Sequence, residues 1–137
     1  MKPLKCYFAV LLFISALVMF PLAGFCQEAG FKITEMAVTT KIVRGNPIDS
    51  VHRISSASVK ALYCFTRIRS TEELNTTIRH IWYRDNVKVG EYELPVKGMT
   101  WRTFSKKMVD KGMAGDWRVE CLDKSGKVLK TVSFRMN

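Results

Sequence analysis

Two stretches decide how this chain is read: VKALYCFTRI (59–68) and TIRHIWYR (77–84), separated by the polar run STEELNT (70–76). Both are rich in β-branched and aromatic residues, and their apolar positions recur every second residue. The first predicts a strongly buried strand and the second a further strand. Asp85-Asn86 follows as a tight-turn signal leading into VKVGEYEL (87–94), the pattern of a β-hairpin.

Outward from this centre the same period holds. Met36, Val38 and Ile42 alternate with Thr39 and Lys41 in an earlier strand. MTWRTFS (99–105) predicts a further strand, and SKKMVDKGMAG (105–115) a loop or single helical turn. DWRVECLD (116–123) and KVLKTVSFRM (127–136) predict a closing hairpin through Lys124-Ser125-Gly126. No βαβ alternation and no long helical period appear. The expectation is an all-β chain, a single antiparallel immunoglobulin-like β-sandwich of about seven strands.

The cysteines sharpen that expectation. Cys64 falls on the second predicted strand, Trp82 on the third and Cys121 on the sixth. Cys–Trp–Cys in this order resembles an immunoglobulin core, where an inter-sheet disulfide packs against a tryptophan. A Cys64–Cys121 disulfide is expected, worth roughly 4 kcal/mol by loop closure. Two buried free thiols acting as small hydrophobes are the alternative.

The first residues read differently. Lys2 and Lys5 precede an uncharged apolar run from Cys6 to Phe25, broken near its end by Pro21 and Gly24. A positive start, an apolar core and small residues at Gly24 and Cys26 are the marks of a secretory signal. Residues 1–26 are therefore expected to be a signal peptide and 27–137 the β domain. The rival is an uncleaved anchor in the inner membrane, since such a run just crosses a bilayer. Lipidation of Cys26 is disfavoured by Phe25 before it. Either way the domain is expected outside the cytosol, in the periplasm or cell envelope, with any membrane contact made only through a retained N-terminal segment.

With 137 residues the chain has a one-domain length, and its 47% hydrophobic content excludes a disordered chain. The formal net charge is +10. Lys97, Arg102, Lys106, Lys107 and Lys111 gather around Trp101 and Phe104. Cations interleaved with aromatics suit phosphate- or carboxylate-rich partners. Outside the cytosol these are anionic envelope polymers or lipid headgroups, with no nucleic acid expected. The candidate binding surface is thus Trp101, Arg102, Phe104, Lys106, Lys107 and Lys111. A solvated loop with Arg102 paired to an acid is the bland alternative, and a partner protein on an edge strand or apolar patch is the rival function.

Little catalytic material remains. His80 and Trp82 share one strand face; together with Trp117 they are candidates for core or pocket. A core reading, with the imidazole hydrogen-bonded, is the simpler one. His52 lies in a polar segment far from both. No spacing of His, Cys or acidic residues suits a metal, and no nucleophile elbow, metalloprotease helix or phosphate loop occurs. Neither cofactor nor metal is expected, and the chain is read as non-enzymatic. Asn75-Thr76-Thr77 is a glycosylation sequon only in a glycosylating host.

Five blocks in order then carry a resemblance: LYCFTRI (62–68), His80-Ile81-Trp82, Trp101 to Ser105, Gly115 to Val119, and Asp123 to Leu129. Together they resemble the bacterial domain of unknown function 2914, over roughly residues 36–135. The resemblance implies a small exported or membrane-attached β domain, with no activity and no catalytic residues to transfer. Cys64 and Cys121 depart from its pattern, as a private disulfide requires.

Overall fold

The computed structural model describes residues 30–137; the expected signal segment, with Cys6 and Cys26, lies outside them. The described chain is all β: β1 (Phe31–Thr39), β2 (Ile42–Val43), β3 (Asn46–Pro47), β4 (Arg53–Ile54), β5 (Ala61–Arg84), β6 (Val87–Met108), β7 (Gly115–Leu122) and β8 (Val128–Met136). The first strand begins and ends earlier than its apolar pattern indicated. It closes at Thr39, and Ile42 belongs to the short β2.

β5 and β6, of 24 and 22 residues, each replace two expected strands. The polar STEELNT run does not end the strand. Pairing jumps from Arg69↔Thr100 to Leu74↔Gly98, so Ser70 to Glu73 bulge opposite Met99 while the chain stays extended. A bulge bends a strand without ending it. Gly98 sits at the bend with φ +86, a conformation costly for any residue carrying a Cβ. The expected loop from Ser105 to Met108 is likewise strand, because its backbone pairs with Ala61 to Cys64.

The two strands form one bent hairpin closed by Asp85 (φ 48) and Asn86 (φ 64), a two-residue turn of type I′ geometry. Its first arm joins residues 61–69 of β5 to β1 on one side and to the end of β6 on the other. Its second arm joins residues 74–84 to the start of β6 and to β7, which pairs with β8. β4 runs parallel to the end of β8. The closing hairpin forms as expected around Asp123, whose Oδ1 accepts from the Ser125 N–H (2.9 Å), the Lys127 N–H (2.9 Å) and the Ser125 hydroxyl (2.6 Å).

Alternation sends Leu62, Cys64, Thr66 and Ile68 inward from the first arm, and Ile78, His80, Trp82, Val119 and Cys121 inward from the second; all are buried. Trp82 anchors this core. It meets Trp117 edge-on at 6.5 Å and Phe134 at 6.4 Å between ring centroids. Burying side chains of this size contributes about 2–3 kcal/mol each before entropy is set against it.

Candidate functional site

Inside the core lies a hydrogen-bonded cluster from three separate segments. His80 Nε2 is 2.8 Å from the Thr66 hydroxyl, and Nδ1 is 2.8 Å from the Ser105 hydroxyl. The Trp82 indole N–H donates to Ser105 Oγ at 3.0 Å. A neutral imidazole has one N–H and one lone pair, so one hydroxyl donates to the ring and the other accepts from it. His80 is fully buried, and burial pushes its pKa down from 6.5 to about 4. A Ser–His contact on its own resembles part of a hydrolytic site. Here no carboxylate among the described residues is bonded to the ring, and it lines neither of the two surface depressions described below. His80, Trp82 and Trp117 therefore stand in the core. The blocks that carried the resemblance supply Thr66, His80, Trp82 and Ser105, and the fold brings all four together.

The expected basic surface divides. β6 is a strand, so successive side chains point to opposite sides. Trp101 and Lys107 fall on the inner side with Ser105, opposite Ile68 and Leu62 in register. Trp101 packs against the core, and its Nε1 is buried with no acceptor in reach among the described residues. Lys111 lies in the turn after β6, off the strand face. Arg102, Phe104 and Lys106 remain together on the outer side, opposite Arg67, Phe65 and Tyr63.

These three acquire partners that sequence reasoning had missed. Phe104 is 44% exposed and meets Tyr63 edge-on at 5.8 Å. The Lys106 ammonium lies 5.9 Å from the Tyr63 ring centroid, within cation–π range. The β2–β3 hairpin, turned by Arg44 (φ 52) and Gly45 (φ 75), brings in Asn46. Its Oδ1 accepts from Arg67 Nη2 (3.0 Å) and from Arg102 Nη1 (3.1 Å). Two guanidinium groups thus converge on one neutral oxygen. Arg67 also pairs with Glu35 at 3.3 Å. Among the described residues, neither Arg102 nor Lys106 has a carboxylate partner.

The second arm contrasts with this. Three of its outward arginines are neutralised, Arg79 by Glu91 (2.9 Å), Arg118 by Glu120 (3.5 Å) and Arg135 by Asp116 (2.7 Å), while Lys97 has no carboxylate partner among the described residues. Depressions lie at two places on the described residues. A cleft of about 990 Å³ between the start of β1 and the β7–β8 turn is lined by Phe31, Lys32, Ile33, Arg69 and Lys127 among others. A groove of about 530 Å³ lies at the other end, beside Asp85, Asp116 and Arg118. No cluster of three metal-ligating side chains occurs among the described residues.

Solved structures share this architecture at low identity, which speaks to the fold alone. An immunoglobulin-like protein from Pseudomonas aeruginosa superposes with a TM-score of 0.53 at 10% identity, covering 81% of this chain and 99% of that one. An alkylpurine DNA glycosylase of Pseudomonas fluorescens, bound to DNA containing an abasic site analogue, gives 0.51 at 13% identity, over 80% of this chain and 31% of that one. A putative β-galactosidase from Bacteroides fragilis gives 0.52 at 15% identity, over 77% of this chain and 17% of that one. This chain therefore corresponds to a small part of the two enzymes. No curated protein matches it. A family model matches residues 75–136, a span that holds four of the five blocks and leaves LYCFTRI ahead of it. By that match, which takes in His80, Trp82, Ser105, Trp117 and the Asp123 turn, this part of the chain is similar to the family described as Protein of unknown function (DUF2914).

Proposed function

We propose that the chain is a non-enzymatic, exported binding domain of the bacterial envelope, and that it holds phosphate- or carboxylate-bearing polymers or headgroups on the outer face of its first arm. We read its two arms as an immunoglobulin-like sandwich, with the apolar N-terminal run as its export signal. One observation carries the binding assignment. Arg102 and Lys106 flank the exposed Phe104 and the half-buried Tyr63 with no carboxylate partner among the described residues, whereas Arg79, Arg118 and Arg135 on the second arm are all paired. Cations without a carboxylate partner beside an exposed aromatic ring suit an anionic group attached to a flat or apolar body.

The test compares the wild-type chain with an Arg102→Glu/Lys106→Glu variant, against a glycerol-phosphate polymer and against vesicles of phosphatidylglycerol or phosphatidylcholine. Wild type is expected to bind at least one anionic probe and to lose that binding as salt screens the contact. The variant is expected to bind at least tenfold more weakly, about 1.4 kcal/mol. Equal binding by the two proteins overturns the assignment. The polymer and vesicle arms separate a soluble polyanion from a lipid surface.

A second reading has its own support. β6 pairs only with β5, so from Thr100 to Met108 its other edge is unpaired among the described residues. An open edge accepts a strand from a partner protein. Recovery of one stoichiometric protein partner and no polymer would select this reading.

A further inference from the structure

Cys64 and Cys121 are free, buried thiols in the structure, where the sequence had led to an expected disulfide. Their placement is specific. Cys64 lies on the inner face of the first arm, opposite Ser105 in register and two residues before Thr66. Cys121 lies on the second arm, opposite His80 in register. His80 reaches across the core to both Thr66 and Ser105, each at 2.8 Å. Those two hydroxyls flank Cys64. The strand pair carrying His80 and Cys121 is therefore held directly against Cys64. Burial, followed by Cys121, pushes the Cys64 thiol up, while burial followed by Asp123 pushes Cys121 up to about 12.

We propose that Cys64 and Cys121 form a covalent cross-link site between the two arms, closed by thiol–disulfide exchange during folding and sealed from solvent once the core has packed. Metal ligation is a poorer use of the pair, because both ring nitrogens of His80 are occupied by hydroxyls and no third ligand is at hand among the described residues. The oxidant is an external disulfide, from a small molecule or an exchange protein. One cysteine thiolate attacks a sulfur of that disulfide, forming a mixed disulfide and expelling the other half as a thiolate that takes up a proton. The second cysteine thiolate then attacks the protein-side sulfur, closing the Cys64–Cys121 bond and releasing the remaining thiol. Two protein thiols are oxidised and one external disulfide is reduced.

Burial sets the timing. Both cysteines have 0% exposure, and raised thiol pKa values leave little thiolate at neutral pH. An external disulfide reaches them only before the arms close. The proposal is independent of what the outer face binds.

The experiment uses the full chain, reduced and unfolded, then divided. One portion refolds in the presence of oxidised glutathione. The other refolds under reducing conditions and meets oxidised glutathione only afterwards. Both are alkylated in denaturant, digested and mapped by mass. A Cys64–Cys121 peptide, lighter by two hydrogens, is expected in the first portion, with both cysteines alkylated in the second. Pairing of either with Cys6, Cys26 or glutathione, or two free thiols in the first portion, overturns the cross-link. Equally fast linkage in the second portion overturns the sealing. Should refolding fail, the chain produced in an oxidising and in a reducing cellular compartment, trapped by alkylation at lysis, gives the same comparison.

Discussion

Thr66 and His80 lie fourteen positions apart on one continuous strand, yet their side chains hydrogen-bond at 2.8 Å through the middle of the core. That contact exists because β5 bends at the Ser70–Glu73 bulge and brings its two halves to face one another. It ties the overall path of the chain to the ionisation of one buried ring.

Acid should therefore act on stability through His80. Its folded pKa, about 4, lies below the ordinary 6.5, so between these values the unfolded chain binds a proton that the folded chain refuses. Stability is expected to be full above about pH 6.5, to fall as pH drops toward 4, and to stop falling from this source below that. The total is on the order of 3 kcal/mol. Urea unfolding across this range measures the slope. A His80→Gln variant keeps a donor and an acceptor but does not titrate, so it should flatten the profile over this window. Parallel profiles would assign the effect to another group.

Ser105 serves two neighbours at once. Its Oγ accepts from Trp82 and bonds His80 Nδ1, and all three residues are buried. Ser105→Ala leaves both nitrogens without their partner and should cost about 2–3 kcal/mol. Denaturant unfolding should show a lower midpoint with an unchanged slope. A loss below about 0.5 kcal/mol would mean that water or a shifted side chain replaces the hydroxyl.

Gly115 has φ +144, and a Cβ built there would lie 2.6 Å from Asp85 Oδ2, while Asp85 Oδ1 accepts from the Asp116 N–H at 2.9 Å. Gly115→Ala thus combines a strained backbone with a collision against a hydrogen-bonded carboxylate. A cost of about 1–3 kcal/mol is expected. Asp85→Ala removes the obstacle, so the double variant should lose less than the sum of the singles. Strict additivity would place the whole cost in the backbone.

The Asp123 carboxylate collects two backbone N–H groups and the Ser125 hydroxyl, so Asp123→Ala should cost about 1–3 kcal/mol. The Ser125 hydroxyl, followed by the backbone donors, lowers its pKa from 3.8. Its contribution is present above that value and disappears as pH falls through the lower, folded one. The wild-type and Asp123→Ala unfolding curves should accordingly converge in strong acid.

The period-two pattern made the β character and both hairpin turns legible, because alternation and turn residues are local properties. The bend in β5 was not legible. A run such as Ser70-Thr71-Glu72-Glu73 has the composition of a loop; it stays extended between β6, which offers Met99 alone against these four residues, and β1, whose Phe31 pairs with Ser70. The basic stretch from Trp101 to Lys107 was recognised as a stretch and not as two faces. Alternation applied within it would have placed Trp101 and Lys107 on one side and Arg102, Phe104 and Lys106 on the other. Tyr63 and Asn46 were beyond reach, because both join the outer face through pairings distant in sequence. Arg44-Gly45 did carry a short hairpin signal.

The shared strands also have a mechanical consequence. Each half of the core is joined to the other by two continuous strands, β5 and β6, which cross between them at the Ser70–Glu73 bulge, so any swing of one half must bend both strands at once. A partner arriving on either face meets a stiff platform whose ordering was completed on folding. What it then loses in freedom is mainly its own.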